Sequence, residues 1–301
     1  MSEPTLTYGL GCPLWSLADW EGQLYRAGST SGDYLAQYAS VFSAVEGNTT
    51  FYAVPAKETV ARWLGQVPEG FRFCFKFPRT ISHEHRLHRA EHACREFLDR
   101  LRPLQSRLGP LMLQLPASFG PPSVPVLLDF LDALPTDFTY AVELRQRRFF
   151  EDDALSDRLD EVLRERHVER IMLDSRPLRS GDAGHPDVLT AAHEKPDLPV
   201  RVQALSTSPL VRLITHPDVK VTAPWLDRWA DVVLRWMTDG LRPLLFIHCP
   251  NNVHSPLFAR TFHQRLAVKA AALGVDVGTL SLFPGESGPP GSRADEQLTL
   301  L

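Results

Sequence analysis

The sequence predicts an α/β protein whose parallel strands close into a single barrel, and three observations predict it. Short β-rich runs alternate with amphipathic helical patterns, which is the mark of parallel βαβ units. Eight such runs occur, at 8–12, 41–48, 71–76, 111–115, 139–144, 170–174, 211–214 and 244–249. The chain of 301 residues, 44% of them apolar, is long enough for one large core. The expected fold is a single-domain (β/α) barrel of the TIM type over residues 1–283, followed by a flexible tail over 284–301.

Between the runs, apolar residues recur at three- and four-residue spacing, as in Cys94, Phe97, Leu98, Leu101 and Leu104, and again in Trp229, Val233 and Trp236. These stripes are expected to face the sheet. Pro55 and the Pro121-Pro122 turn punctuate the starts of helices near 56 and 123. The Gly-, Asp-, His- and Pro-rich stretch 177–199 reads as a long irregular connection holding a short helix. From about residue 284 the PGESGPPGSRADEQ composition offers too little apolar surface to stay folded.

Composition narrows function. The net charge of −4 excludes a protein that coats nucleic acid through overall charge, so any phosphate affinity must be local. Cys12, Cys74, Cys94 and Cys249 form no CxxC pair and read as reduced core residues. No basic, apolar leader and no membrane-length apolar run is present, so a cytoplasmic protein is expected.

Alternation along each strand then nominates a site, because inward-facing residues near the carboxyl ends of barrel strands line the mouth. In FRFCFKF, Phe71, Phe73, Phe75 and Phe77 share the helix-facing side, leaving Cys74 and Lys76 inward. The same rule turns Met112 and Gln114 inward, then Ala141, Glu143 and Arg145, Met172 and Asp174, Ala44, Glu46 and Asn48, and finally His248. The loops 79–89, 145–148 and 175–179 are rich in Arg and His, which suggests an anionic substrate, since guanidinium groups pair bidentately with phosphate or carboxylate. Neutralising pairs such as Glu143 with Arg145, or Glu46 with Lys76, are the structural alternative.

The chemistry these residues admit is broad. Glu46, Lys76, Glu143, Asp174 and His248 are the candidates for acid, base or ligand roles, and Asn48, Tyr52, Gln114, Arg145, Arg176 and Arg212 for substrate binding. No cofactor is evident. Glu46, Glu143, Asp174, His216 and His248 have the donor types of a divalent-metal site, although no HExxH spacing occurs and His83, His85 and His88 lie on a loop. Neither GxxxxGK[ST] nor GxGxxG nor GxSxG appears in a strand-and-turn context, which weakens nucleotide-cradling and serine-hydrolase readings.

The segments VEGNTTFYAVP, FRFCFKFPRTISH, LMLQLPASFG, AVELR, RIMLDSRP and LLFIHCP resemble the YecE-like domain-of-unknown-function family, over about residues 9–273. The resemblance implies a TIM-type barrel with a polar pocket at the carboxyl ends and implies no mechanism. Glu46, Asn48, Phe51 and Tyr52 match the family's E-x-N-x-x-F-Y pattern. Where many members carry His and Trp after E-L-R, this chain has Gln146 and Phe149. The family's barrel is also similar to that of endonuclease IV and xylose isomerase type enzymes, an analogy of fold alone.

The leading expectation is an enzyme on a phosphorylated or otherwise anionic substrate, a nucleic-acid phosphoester among them. The first alternative is a non-catalytic module recruited to DNA-processing partners. The segment TLSLF at 279–283 and the terminal QLTLL, with Gln297, Leu298, Leu300 and Leu301, both resemble sliding-clamp-binding peptides. The second alternative is a metal-dependent sugar isomerase or lyase.

Overall fold

The structure, a computed structural model, describes residues 7–286. Its strands are β1 (Gly9–Gly11), β2 (Ala44–Gly47), β3 (Arg72–Phe75), β4 (Leu111–Gln114), β5 (Tyr140–Glu143), β6 (Glu169–Arg170), β7 (Met172–Asp174), β8 (Leu210–Ile214) and β9 (Leu244–His248). Each expected run contains a strand, and the sixth is divided at Ile171 into β6 and β7. Every ladder is parallel, in three sheets ordered β1-β9-β8-β7, β2-β3 and β4-β5-β6. Parallel strands covered on both faces read as near-continuous apolar runs, which is why the sequence marks them so clearly.

Single backbone bonds join neighbouring sheets. The Glu46 N–H donates to Cys12 O at 3.1 Å, linking β1 to β2, and the Phe77 N–H donates to Met112 O at 3.0 Å, linking β3 to β4. The N–H of Ile171 donates to Val142 O at 2.9 Å, so that β6 and β7 continue one another between β5 and β8. A buried cluster of Ala44, Cys74, Met112, Ala141, Ile171, Leu210, Leu244 and Phe246 draws on all three sheets. At β1 the matching position is Gly9, where a Cβ would lie 2.3 Å from Leu244 Cδ2, so any side chain there would require Leu244 to move.

The helices are α1 (Tyr34–Ala39), α2 (Lys57–Gln66), α3 (Glu91–Leu101), α4 (Val124–Asp132), α5 (Arg148–Glu151), α6 (Asp153–Glu165), α7 (Pro186–Glu194), α8 (Val219–Thr238) and α9 (Ser255–Ala271). They cover the outward faces of the sheets. Phe71, Phe73, Phe75 and Phe77 are all buried on that side, where Trp63 of α2 stacks on Phe75 with ring centres 5.3 Å apart. Each such ring stabilises the fold by roughly 1.5–3 kcal/mol through removal from water. Cys94, Phe97, Leu98 and Leu101 of α3 and Trp229, Val233 and Trp236 of α8 are buried, as their spacing requires, and the four cysteines are free and buried. None of the described helices is long and apolar enough to cross a membrane.

One expectation is corrected here. The sixth strand has the opposite facing: Ile171, not Met172, joins the inner cluster, while Met172 packs in the outer core. Asp174 consequently turns outward to accept the Trp229 indole N–H at 2.9 Å. Residues Pro284–Glu286, at the start of the expected tail, form a short 3-10 turn, and the remainder of that tail lies outside the described residues. Phe283 is fully buried beside Phe42 with the Arg260 guanidinium over its ring, and Glu286 accepts two bonds from Arg260 at 2.8 and 2.9 Å. That burial removes the anchoring side chain of TLSLF from the surface. Gln297, Leu298, Leu300 and Leu301 lie outside the described residues.

Candidate functional site

Two residues beyond six of the eight side chains of the inner cluster, toward the strand carboxyl ends, stands a polar one. Ala44 is followed by Glu46, Cys74 by Lys76, Met112 by Gln114, Ala141 by Glu143, Leu210 by Arg212 and Phe246 by His248, and all six of these polar residues are buried. The period of two in a β-strand puts both layers on one face. Ladder register then brings the second layer together.

The layer closes into a ring. Arg212 donates through Nε and Nη2 to the two oxygens of Glu46, each at 2.8 Å, and through Nη1 to Glu143 Oε2. Glu143 Oε1 accepts from Arg145 Nε at 2.6 Å, and Arg145 Nη2 donates to Gln114 Oε1 at 3.0 Å. Lys76 Nζ donates to the same Gln114 oxygen at 3.0 Å and lies 3.2 Å from Glu46 Oε1, which returns the path to its start. His248 Nε2 meets Glu46 Oε2 at 2.9 Å. Charges so deeply placed persist only when each finds partners, and here every charged group of the ring has at least one.

These contacts set protonation. Burial pushes Glu46 and Glu143 up, but Arg212 and the neighbouring cations outweigh it, holding Glu46 well below the carboxylate range and Glu143 at about 2. Both are therefore anionic and, as they stand, bases or acceptors rather than acids. Burial pushes His248 down to about 4 against the pull of Glu46, so its imidazole is neutral near pH 7. Since Glu46 can only accept, His248 Nε2 carries the hydrogen of their bond. Burial, with Arg212 next in weight, pulls the Lys76 ammonium down to about 8.

Two more groups border the ring that the sequence did not single out as site residues. Lys195, the C-cap of α7, is depressed by burial and then by Arg212, with Arg145 adding to the effect and Glu46 and Glu194 opposing it. His83 is lowered by burial and then by Arg145, Arg79 and Lys76. No local pattern marks Lys195: it caps α7 within the long 175–199 connection, whose end is tied back by Ser175 to Pro196 O and by Arg179 to Lys195 O.

Other expected members lie elsewhere. Arg176 is spent on Asp174 through a bidentate pair at 2.9 and 2.8 Å and stacks on Trp225, away from the ring. Asn48 donates to Pro13 O at 2.7 Å and braces two loops, and Tyr52 is 74% exposed. The basic rim is largely structural. Arg179 holds the carbonyls of Ala192 and Lys195, Arg147 holds Glu151 and Asp197 O, and Arg86 holds Ser118, so that of these loop arginines Arg145 alone enters the ring. His216 accepts the Asp218 N–H at 3.0 Å, and among the described residues no three His, Cys, Asp or Glu side chains are placed to hold a metal ion. A groove of about 690 Å³ between α2 and α3, lined by Lys57, His92 and Arg100 among others, is separate from the ring.

Fold and ring together define an α/β protein of parallel sheets with an ionic layer at the strand carboxyl ends. The family model described as "Protein of unknown function DUF72" matches residues 9–279, and the chain belongs to that family. It is 38% identical over 265 residues to the UPF0759 protein YecE of Escherichia coli (strain K12), covering 88% of this chain and 94% of that one. Among solved structures, a DUF72 family protein of Enterococcus faecalis V583 is similar with a TM-score of 0.67 and 22% identity over 86% of this chain and 95% of its own. One from Thermotoga maritima MSB8 is similar with a TM-score of 0.67 and 18% identity over 86% and 99%. At these identities the likeness to solved structures is one of fold. At the positions after E-L-R, Gln146 accepts the Arg148 N–H at 2.7 Å at the start of α5, and Phe149 is buried in the core, so both have structural work here.

Proposed function

We propose that the three sheets are arcs of one closed eight-stranded (β/α) barrel, and that the ring at its mouth is the binding site of an enzyme for a small anionic, foremost phosphorylated, substrate. The inter-sheet bonds of Glu46, Phe77 and Ile171 and the shared inner cluster support the closure. The observation that carries the function is the balance of charge. Four cations, Lys76, Arg145, Lys195 and Arg212, face two carboxylates, Glu46 and Glu143, in and around the ring. An unbalanced pair of positive charges at low local dielectric attracts an anion far more strongly than the same charges in water.

In this reading Arg145 and Lys195, the more open of the four, hold the anion. Arg212 fixes both carboxylates, and Glu46 or Glu143 accepts a proton from the substrate. A phosphoester in nucleic acid presents the same anionic group. The test is a melting-shift screen of phosphate monoesters, neutral sugars and single-stranded DNA, since a ligand of the native state raises its melting temperature. Phosphate monoesters should stabilise the protein and the corresponding neutral sugars should not. Equal response to both would overturn the reading.

A further inference from the structure

We propose that Lys76 is a nucleophile, condensing with the carbonyl carbon of an anionic aldehyde or ketone to form an imine. This rests on the anion reading above and adds to it the carbonyl class of the substrate. Lys76 directly follows β3, with its side chain buried in the ring rather than spread over the surface, as most lysines are. Gln114 Oε1 at 3.0 Å and Glu46 Oε1 at 3.2 Å fix its Nζ from two sides. A neutral amine in that cage still donates both of its hydrogens and keeps its lone pair for a third direction.

The surroundings activate such an amine in the two ways known to do so, desolvation and a neighbouring cation. Burial and then Arg212 bring Lys76 down to about 8, so a substantial fraction is unprotonated at neutral pH. Arg145, on the same Gln114 oxygen, and Lys195, whose charge is felt by the ring, would hold the anionic end of the substrate. Nζ attacks the carbonyl carbon, a C–N bond forms, and both amine hydrogens leave with the carbonyl oxygen as water. The carboxylate of Glu46 is positioned to relay them from nitrogen to oxygen. No oxidant or further reactant is needed.

The five lysines of the chain, Lys57, Lys76, Lys195, Lys220 and Lys269, make the test clean. The full-length protein is incubated at pH 7.5 with dihydroxyacetone phosphate and sodium cyanoborohydride, and the adduct is located by peptide mass mapping. From the free-amine fractions, Lys76 should be labelled on the order of a hundredfold faster than an exposed lysine of ordinary pKa. Its rate should rise as pH is taken from 6.5 to 8.5, glycerol 3-phosphate should compete, and Lys76→Arg should lose the adduct. An unlabelled Lys76, or an adduct on Lys195 instead, overturns the proposal. If glycerol 3-phosphate raises the melting temperature while Lys76 stays unlabelled, the imine falls and the anion reading stands. If Lys76 is labelled but glycerol 3-phosphate neither competes nor stabilises, the amine is reactive and the anion reading falls.

Discussion

Two regions of this molecule bury charge, and they differ in how they balance it. Beside α6, Arg170 donates to Asp160 Oδ1 at 2.7 Å and to Phe149 O at 2.8 Å, its guanidinium lies over the Phe150 ring, and Arg201 closes on Asp160 Oδ2 at 3.3 Å and on Asp153 at 3.3 Å. Two arginines there meet three aspartates, on the outer side of β6 where helix packs on sheet. In the ring at the strand ends, cations outnumber carboxylates and face a single layer contributed by all three sheets. Buried charge alone is thus no mark of function. The proposed function rests instead on a surplus of positive charge where the strand ends converge.

The largest effect that separates the regions should come from their central arginines. Arg212→Met strips the shared counter-ion from two buried carboxylates and should cost roughly 3–5 kcal/mol in urea unfolding. Arg170→Met leaves Asp160 with Arg201 and should cost about 2 kcal/mol, near the value of a charged hydrogen bond. Equal losses would erase the distinction.

The next effect is a pH dependence belonging to the ring. The folded-state pKa of His248 is depressed, so the fold favours its neutral form. The stability this contributes is complete above about 6.5 and is lost as pH falls toward about 4. The loss should reach about 3 kcal/mol at the lower end. His248→Gln, which keeps an N–H for Glu46, should flatten urea-derived stability between those pH values, and an unchanged slope would show that His248 does not titrate there.

Smallest in stability but sharpest in function is Lys195→Ala. As a partly exposed cation outside the hydrogen-bonded ring it should change stability by under about 0.5 kcal/mol. Its affinity for phosphate monoesters should nonetheless drop about tenfold, in keeping with one lost charge-assisted contact of roughly 1.5 kcal/mol.

How much of this the sequence disclosed depends on contrast within each strand. In β2, β3, β5 and β9 a polar residue alternates with a bulky apolar one, so Glu46, Lys76, Glu143 and His248 could be oriented from the pattern alone, and the structure places them in one layer. Ile171, Met172 and Leu173 are consecutive apolar residues, so alternation offers no contrast there and points Asp174 to the wrong face. Arg176 was lost for a different reason: its partner Asp174 lies two residues away, and a local pair took it from the site. Lys195 was beyond reach because its place depends on how a long connection folds, which no periodicity records.

Calorimetric titration of glycerol 3-phosphate into the wild-type protein and Lys195→Ala, from pH 7 to pH 9.5 where the ligand is predominantly dianionic, tests the surplus-charge account most directly. The account predicts binding that weakens as Lys76 loses its proton near pH 8 and is about tenfold weaker throughout in the variant. Absence of binding, or binding indifferent to both pH and Lys195, would contradict it.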